Sequence, residues 1–179
     1  MTMGRGRKAI PASELLPKYA AHWNKAITGE SPLACVLIAT ALVENATITL
    51  LHSLLREGET SDKLFKQGGI LGDFFKCTNM AYSLCLISKP MEQNLEKIGE
   101  IRNIFAHSPE EVDFSNAEVE KMCSGLELPP SVEAASSKPY TARDRFCLVG
   151  GFCFARISFM AAATNRLTEP ANIDWPARQ

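Results

Sequence analysis

The sequence lacks several features that mark particular classes of protein. No stretch approaches the ~20 uninterrupted apolar residues of a membrane-spanning helix, because Glu44, Asn45 and His52 interrupt the longest apolar run, residues 33–55. None of the six cysteines forms a CxxC motif or has the spacing to a histidine of a zinc site. The basic N-terminal stretch has no apolar core behind it, so we expect no secretory signal. We therefore expect a cytoplasmic protein with reduced thiols that binds no membrane, no metal and no other cofactor.

The charge balance of the chain is close to neutral. Lysine and arginine number 19 and aspartate and glutamate 20 among 179 residues, which gives a formal net charge of −1. This balance excludes a strongly basic protein that coats nucleic acid through bulk electrostatics. Hydrophobic residues make up 46% of the chain, which excludes a wholly disordered protein, and the length favours one domain with a sizeable core.

Apolar residues recur at spacings of three and four rather than two, and this period predicts an all-α protein. We expect a single-domain helical bundle of six or seven helices over residues 13–167, between a flexible basic tail at 1–12 and a C-terminal tail at 168–179. The second predicted helix is apolar on most sides and should be the central one. The predicted helices cover residues 13–27, 32–57, a short segment after Ser61, 71–86, 90–106, 117–124 and 142–167.

Polar residues with capping chemistry mark the predicted helix starts. Ser31 can cap the central helix, and Thr141 with Asp144 forms a cap pair for the last helix. Ser115 and Glu118 have the spacing of a capping box for the short helix that follows them.

Residues 125–140 are predicted to form an exposed loop. The segment contains Pro129, Pro130 and Pro139 and is longer than most connections in compact domains. We expect this loop to contact a partner protein, and we expect its deletion to leave thermal stability nearly unchanged.

The apolar pattern also predicts which helix faces are buried. In the helix at 71–86 we expect Tyr82 and Cys85 on the buried side. The last helix has more aromatic residues than one buried stripe can hold, and this surplus predicts a homodimer. The helix at 90–106 should bury a stripe made of Leu95, Ile98, Ile101 and Phe105.

Four motifs, in order along the chain, resemble the mannitol-operon repressor (MltR-like) family. They are Glu30-Ser31-Pro32 followed by CVLIATALVE, then LFKQGGILGDFFKCTNMAYSLCLIS, then IGEIRNIFAHS, and finally ARDRF before the last helix. The resemblance spans about residues 15–167. It implies an all-α fold and a role in repressing the transcription of mannitol uptake genes, and it implies no mechanism.

The mode of regulation is predicted from the distribution of basic residues. We find no short helix pair with a basic recognition helix that could fill a major groove. The basic cluster of Arg5, Arg7 and Lys8 lies in the predicted tail. We therefore favour a regulator that acts through protein–protein contacts over one that reads DNA directly, and nucleic acid is a disfavoured partner.

The segment from Arg102 through Asn103 to His107 also resembles the R-x4-H motif of HEPN domains, which are helical bundles that include metal-independent RNases. That resemblance implies an alternative function, an endoribonuclease of the toxin or defence class, with Arg102, Asn103 and His107 as its catalytic residues. The imidazole would act in general acid–base chemistry on the ribose 2′-OH, and the guanidinium of a second protomer would hold the phosphate charge.

Helical spacing and charge around this motif favour a structural role. Five residues of helix rotate by ~500°, which leaves Arg102 and His107 about 140° apart. Residues 90–120 contain eight acids against two bases, a net charge of −6, whereas a surface that receives RNA is normally basic. We therefore predict that Arg102 pairs with Glu44, the one acid in the middle of the central helix, and that Asn103 and His107 fix the end of their own helix. We favour a protein without enzymatic activity.

Overall fold

A computed structural model gives the fold of residues 12–29, 31–108, 111–134 and 137–164. These ranges contain helices and no strand, which confirms the all-α prediction. The predicted tails at 1–12 and 168–179 lie outside the described residues, apart from Ala12, which begins the first helix. The helices are α1 (Ala12–Thr28), α2 (Pro32–Leu54), α3 (Glu59–Leu64), α4 (Phe74–Ser83), α5 (Lys89–His107), α6 (Ala117–Ser124), α7 (Pro130–Glu133) and α8 (Ala142–Ala163).

The eight helices of the described ranges exceed the expected six or seven because the segment at 125–140 contains α7, a single turn of four residues. The last helix also ends earlier than predicted. It stops at Ala163, and Thr164 has an extended backbone. The remaining residues of the predicted helix, 165–167, lie outside the described part of the chain.

Helix α2 is the centre of the bundle and packs against α1, α4, α5 and α8. Its predicted start is confirmed, because the Ser31 hydroxyl accepts a hydrogen bond from the backbone N–H of Ala34 at 3.3 Å. Its predicted end at residue 57 is wrong. The helix stops at Leu54, and Leu55 has an extended backbone. Near this end His52 stacks on Phe65, with ring centroids 4.6 Å apart.

Helices α2 and α8 are long and apolar enough to cross a membrane when judged by length and composition alone, with a mean hydropathy of 1.8 in each. Within the structure 67% of the apolar window of α2 is buried, and 50% of that of α8. The two helices pack against each other more extensively than any other pair. The core helix of a globular protein has the same composition, so their hydropathy fits a core position.

Of two further predicted caps, one is confirmed and one is wrong. The cap pair of α8 is confirmed, because the Thr141 hydroxyl accepts from the Asp144 N–H and the Asp144 carboxylate accepts from the Thr141 N–H. The capping box at Ser115 is wrong. Asn116 is the cap of α6, since its side-chain oxygen accepts from the N–H groups of Glu118 and Val119.

Helix α4 is shorter than predicted at both ends. It begins after Asp73, whose carboxylate accepts a hydrogen bond from the Lys76 N–H at 2.9 Å. It ends at Ser83, because Cys85 adopts a φ of 57° and the Leu86 N–H turns back to the Ala81 carbonyl. Cys85 therefore leaves the face of the helix and is exposed, and Tyr82 is exposed as well, so both predictions of burial were wrong.

Helix α5 has the predicted buried stripe of Leu95, Ile98, Ile101 and Phe105. One of the acids in this helix is not at the surface. Glu92 is buried and forms an ion pair with Lys89 one turn earlier on the helix. The acidic surface of α5 is therefore formed by its other glutamates.

The beginning of the segment at 125–140 is packed against the core, whereas most of its other described residues are exposed, as the sequence predicts. Leu126 and Leu128 are buried in the hydrophobic core. The Asn94 side chain donates to the Glu127 carbonyl and accepts from the Glu127 N–H, both at 2.8 Å. Arg145 of α8 donates to the Leu126 carbonyl at 2.8 Å. Deletion of the segment would remove these core residues and their anchors, so from the structure we expect it to lower thermal stability, contrary to the prediction from sequence.

Candidate functional site

A cavity of about 150 Å³ lies between the middle of α2, the start of α4 and the C-terminal half of α5. Glu44 and Arg102, which the sequence predicts to pair, both line it. Asn103 and Asp73 add further polar groups, and the floor is aromatic. The sequence therefore identified two of the charged side chains that meet here, although they lie on different helices.

Helix α2 contributes two residues one turn apart. Glu44 is 8% exposed and Thr40 is 2% exposed. The Thr40 hydroxyl is buried and has no hydrogen-bond partner among the described residues. A buried hydroxyl beside a buried carboxylate makes this wall of the cavity polar, in a helix that is mostly apolar.

Helix α5 contributes the opposite wall through Arg102 and Asn103, which are both half-buried. The Arg102 guanidinium donates a hydrogen bond to the Asn103 side-chain oxygen at 2.8 Å. Asn103 therefore orients the guanidinium, while its role in fixing the end of the helix stays a prediction. A guanidinium held in this way can bind a carboxylate or another planar anion.

Gly99 allows aromatic rings to form the floor of the cavity. A Cβ atom at this position would lie 2.9 Å from Cζ of Phe75 and 3.1 Å from Cδ1 of Phe74. Only glycine leaves room for both rings against α5. The sequence analysis did not single out Gly99, although a glycine inside a helix is a signal of close packing.

Asp73 stands at the mouth of the cavity and caps α4. The side chain of Lys76 lies 2.9 Å from its other carboxylate oxygen. This hydrogen bond, together with the backbone N–H of Lys76, lowers the pKa of Asp73 below its ordinary value. The mouth of the cavity therefore carries a negative charge that Lys76 offsets.

His107 does not belong to this site. It is the last residue of α5 and is exposed, and it does not line the cavity that contains Arg102. Within one chain the residues of the R-x4-H motif are therefore separated, as the helical rotation predicts. A cavity lined by carboxylates, a guanidinium and a hydroxyl can hold a small polar molecule by hydrogen bonds, and among its described lining residues there is no histidine or cysteine to act as a base or nucleophile.

Over residues 12–29, 31–108, 111–134 and 137–164, no group of three or more histidine, cysteine, aspartate or glutamate side chains is placed to hold a metal ion.

Comparison with known proteins identifies the fold. No protein-family model matches the chain, and no curated protein sequence matches it. A chain in the X-ray structure of the MtlR–HPr complex from Escherichia coli has a similar fold, with a TM-score of 0.59 and 19% sequence identity. The match covers 77% of the present chain and 99% of that chain. The chain therefore has an MtlR-like fold, in agreement with the all-α fold that the four sequence motifs imply.

Proposed function

We propose that this chain is a transcriptional regulator of the repressor type that acts by binding a partner protein. The observation that carries the proposal is the fold match to a chain of the MtlR–HPr complex, because in that structure MtlR is in complex with another protein. The match extends over 99% of that chain, so the shared part is a whole fold and not one motif.

The surface charge of α5 and α6 supports a protein partner over DNA. Glu100, Glu118 and Glu120 are exposed on these two helices, and Glu96 is half-exposed. An acidic surface repels the phosphate backbone, whose neutralisation by lysine and arginine supplies most of the affinity for DNA. The basic cluster in the predicted N-terminal tail lies outside the described residues.

An apolar groove supplies a candidate surface for the partner protein. A second cavity of about 160 Å³ lies where the segment after α6 meets α5 and α8, and Met91, Leu128, Pro130 and Phe152 are among its lining residues. Phe152 is 44% exposed, which is unusual for a phenylalanine in the middle of an apolar helix. We propose that this groove, here called the loop groove, receives an apolar side chain of the partner. We therefore keep the prediction that residues 125–140 contact a partner, since Leu128 and Pro130 of this segment line the groove.

We expect HPr from Escherichia coli, the partner in the matched structure, to bind this chain in isothermal titration calorimetry. Phe152→Asp should weaken binding by about tenfold or more, because a charge in an apolar contact stays desolvated and unpaired. Leu84→Asp is the matched control, since Leu84 is 50% exposed at the end of α4 and does not line the loop groove. Equal weakening by both variants would contradict the proposed groove.

A gel-shift assay with promoter DNA tests the mode of action separately. We expect no tight, sequence-specific shift by the chain alone. A specific shift that survives removal of residues 1–11 would contradict action through a protein partner.

We also propose a homodimer that forms through exposed apolar side chains of α8 that do not line the loop groove. Leu148 and Phe159 lie eleven residues apart, which places them on one face of this helix, and Phe159 is 62% exposed. Light scattering at micromolar concentrations should therefore give the mass of two chains, and Phe159→Asp should give the mass of one. A wild-type chain that stays monomeric over that range would contradict the dimer.

A further inference from the structure

Two cysteine thiols meet where α2 and α8 begin. Cys35 lies in the first turns of α2 and Cys147 in the first turns of α8, and 112 residues separate them in the sequence. Their sulfur atoms are 3.6 Å apart and share a hydrogen bond in which either thiol can be the donor. Both are free thiols. A disulfide has an S–S distance of about 2.05 Å, so an approach of about 1.5 Å would join the two sulfurs.

A guanidinium lies beside this pair of thiols. Arg143, one turn before Cys147, donates hydrogen bonds to the carbonyls of Ile27, at 3.3 Å, and Gly29 at the end of α1. The hydrogen bond with Cys147 and the charge of Arg143 outweigh burial and lower the pKa of Cys35 to about 7. The same hydrogen bond, together with burial, raises the pKa of Cys147 above its ordinary value. The pair therefore shares one proton near neutral pH, and a thiolate is the reactive form of cysteine.

The other four cysteines lie in different environments. Burial raises the pKa of Cys123 and of Cys153 to about 12, so both remain protonated thiols. Cys77 is buried and donates its S–H to the Leu71 carbonyl at 3.3 Å. Cys85 is exposed in the turn after α4. A short sulfur–sulfur distance and a lowered pKa thus occur together at Cys35 and Cys147.

We propose that Cys35 and Cys147 form a reversible dithiol–disulfide site that is oxidised by hydrogen peroxide or a similarly small peroxide. The proposal is independent of the regulatory function proposed above, because it concerns a covalent modification of the junction between α1, α2 and α8. That junction contains neither the polar cavity nor the loop groove.

The oxidation begins at Cys147, which is partly exposed, whereas Cys35 has no exposed surface. Because the pKa of Cys35 is the lower of the two, the shared proton resides mainly on Cys147. Its transfer along the hydrogen bond to Cys35 gives the minor form of the pair, in which Cys147 is the thiolate. This sulfur attacks one oxygen of the peroxide, so that an S–O bond forms, the O–O bond breaks and hydroxide leaves. The hydroxide takes the proton of the Cys35 thiol and becomes the first water molecule.

The disulfide then forms within the chain. The Cys35 thiolate attacks the sulfenic sulfur of Cys147, so that the S–S bond forms, the S–O bond breaks and a second hydroxide leaves. A proton from the solvent converts this hydroxide to the second water molecule. In total the two sulfurs lose two electrons and one peroxide is reduced to two waters.

The disulfide would join the beginnings of the two long helices, next to the place where Arg143 binds the end of α1. Because the bond would close a loop of more than a hundred residues, it would restrict the unfolded chain strongly. The oxidised protein should therefore unfold at a higher temperature than the reduced protein. Reduction by a thiol would restore the two free cysteines, which makes the site reversible.

The test uses the wild-type chain, reduced and then treated with hydrogen peroxide at neutral pH. After unfolding and alkylation with N-ethylmaleimide, the intact monomer should carry two fewer alkyl groups than the untreated protein. Trypsin should release peptides 26–56 and 146–156 as one joined species. Peptide 146–156 contains Cys153 as well as Cys147. Fragment ions from backbone cleavage between these two cysteines must therefore show that Cys147 carries the link. Dithiothreitol should restore both alkylations.

Two variants complete the test. Cys147→Ser should give no joined peptides, whereas Cys85→Ser, at an exposed cysteine outside the pair, should give them at the wild-type rate. Peroxide treatment that leaves all six cysteines open to alkylation would overturn the proposal, and so would a link that persists in Cys147→Ser. The peptide map of the wild-type chain decides the question even where Cys147→Ser fails to fold.

Discussion

Leu126→Ala is expected to lower the free energy of unfolding by about 2–5 kcal/mol. The side chain is 1% exposed, in a segment that the sequence predicts to be an exposed loop. Arg145 donates to the Leu126 carbonyl, and Asn94 binds both backbone groups of Glu127 beside it. Because these hydrogen bonds hold the backbone in place, the segment cannot collapse into the space that the leucine leaves. Urea unfolding followed by circular dichroism measures the loss.

Leu84→Ala is the control for this experiment. Leu84 is 50% exposed in the turn after α4, so its replacement should change the free energy of unfolding by no more than about 0.5 kcal/mol. If both leucine variants unfold at the same urea concentration, the packing of residues 125–140 against the core is contradicted.

Arg102→Ala is expected to cost about 3–5 kcal/mol, because we propose that the guanidinium pairs with Glu44 across the cavity between α2 and α5. Glu44 is only 8% exposed, and the variant would leave its carboxylate buried without this counter-charge. His107→Ala should cost less, at most ~2 kcal/mol, since an imidazolium at a helix C-terminus contributes no more than that. Thermal unfolding of the wild type and of both variants measures how much stability each substitution removes.

A double-mutant cycle tests whether Glu44 is the partner of Arg102. In a Glu44→Gln background the carboxylate charge is absent, so Arg102→Ala should cost less than it does in the wild type. We expect the two substitutions to be non-additive by roughly 0.5–3 kcal/mol, as for residues in direct contact. Additive losses would contradict the pair and would assign the cost of Arg102→Ala to its contact with Asn103 alone.

The same variants distinguish the structural role from the nuclease alternative. The structural role predicts that the wild-type chain cleaves no RNA in the presence of EDTA. A cleavage activity that is lost in both Arg102→Ala and His107→Ala, while both variants stay folded, would instead assign these residues to catalysis. Since His107 lies outside the cavity, such an activity would need the histidine of one protomer and the arginine of another.

Local sequence signals were enough to predict most of the helices. The start of α2 at Ser31 and the start of α8 at Thr141 follow from hydrogen bonds between residues three apart, which a sequence displays directly. The buried stripe of α5 follows from the helical period. These elements were predicted correctly because their determinants lie within one or two turns of the chain.

Helix ends without a local stop signal were predicted poorly. Helix α2 stops at Leu54, although no glycine or proline follows before Gly58. Helix α4 stops at a cysteine with a left-handed backbone, although glycine is the usual residue there. The start of α4 was predictable, since Asp73 precedes two phenylalanines as a cap does, and the sequence analysis overlooked it.

The candidate site shows the same difference between what local sequence signals predict and what depends on contacts between distant residues. Glu44 stood out in the sequence as a lone acid in an apolar helix, and Arg102 stood out through the motif that contains it. Their common cavity depends on Gly99, whose importance appears only when the rings of Phe74 and Phe75 are in place. The contact between Cys35 and Cys147 joins residues 112 positions apart, and no spacing rule connects them.

The position of α2 at the centre of the bundle has a consequence for synthesis on the ribosome. Its main packing partner, α8, begins about 90 residues after α2 ends. At about 5–20 residues per second, the nascent chain carries its most apolar helix without that partner for roughly 5–20 seconds. During this interval α2 presents a segment as apolar as a membrane span, and binding by a chaperone would keep it from aggregating. Helices α4 and α5 emerge earlier and can cover part of α2 before α8 is made.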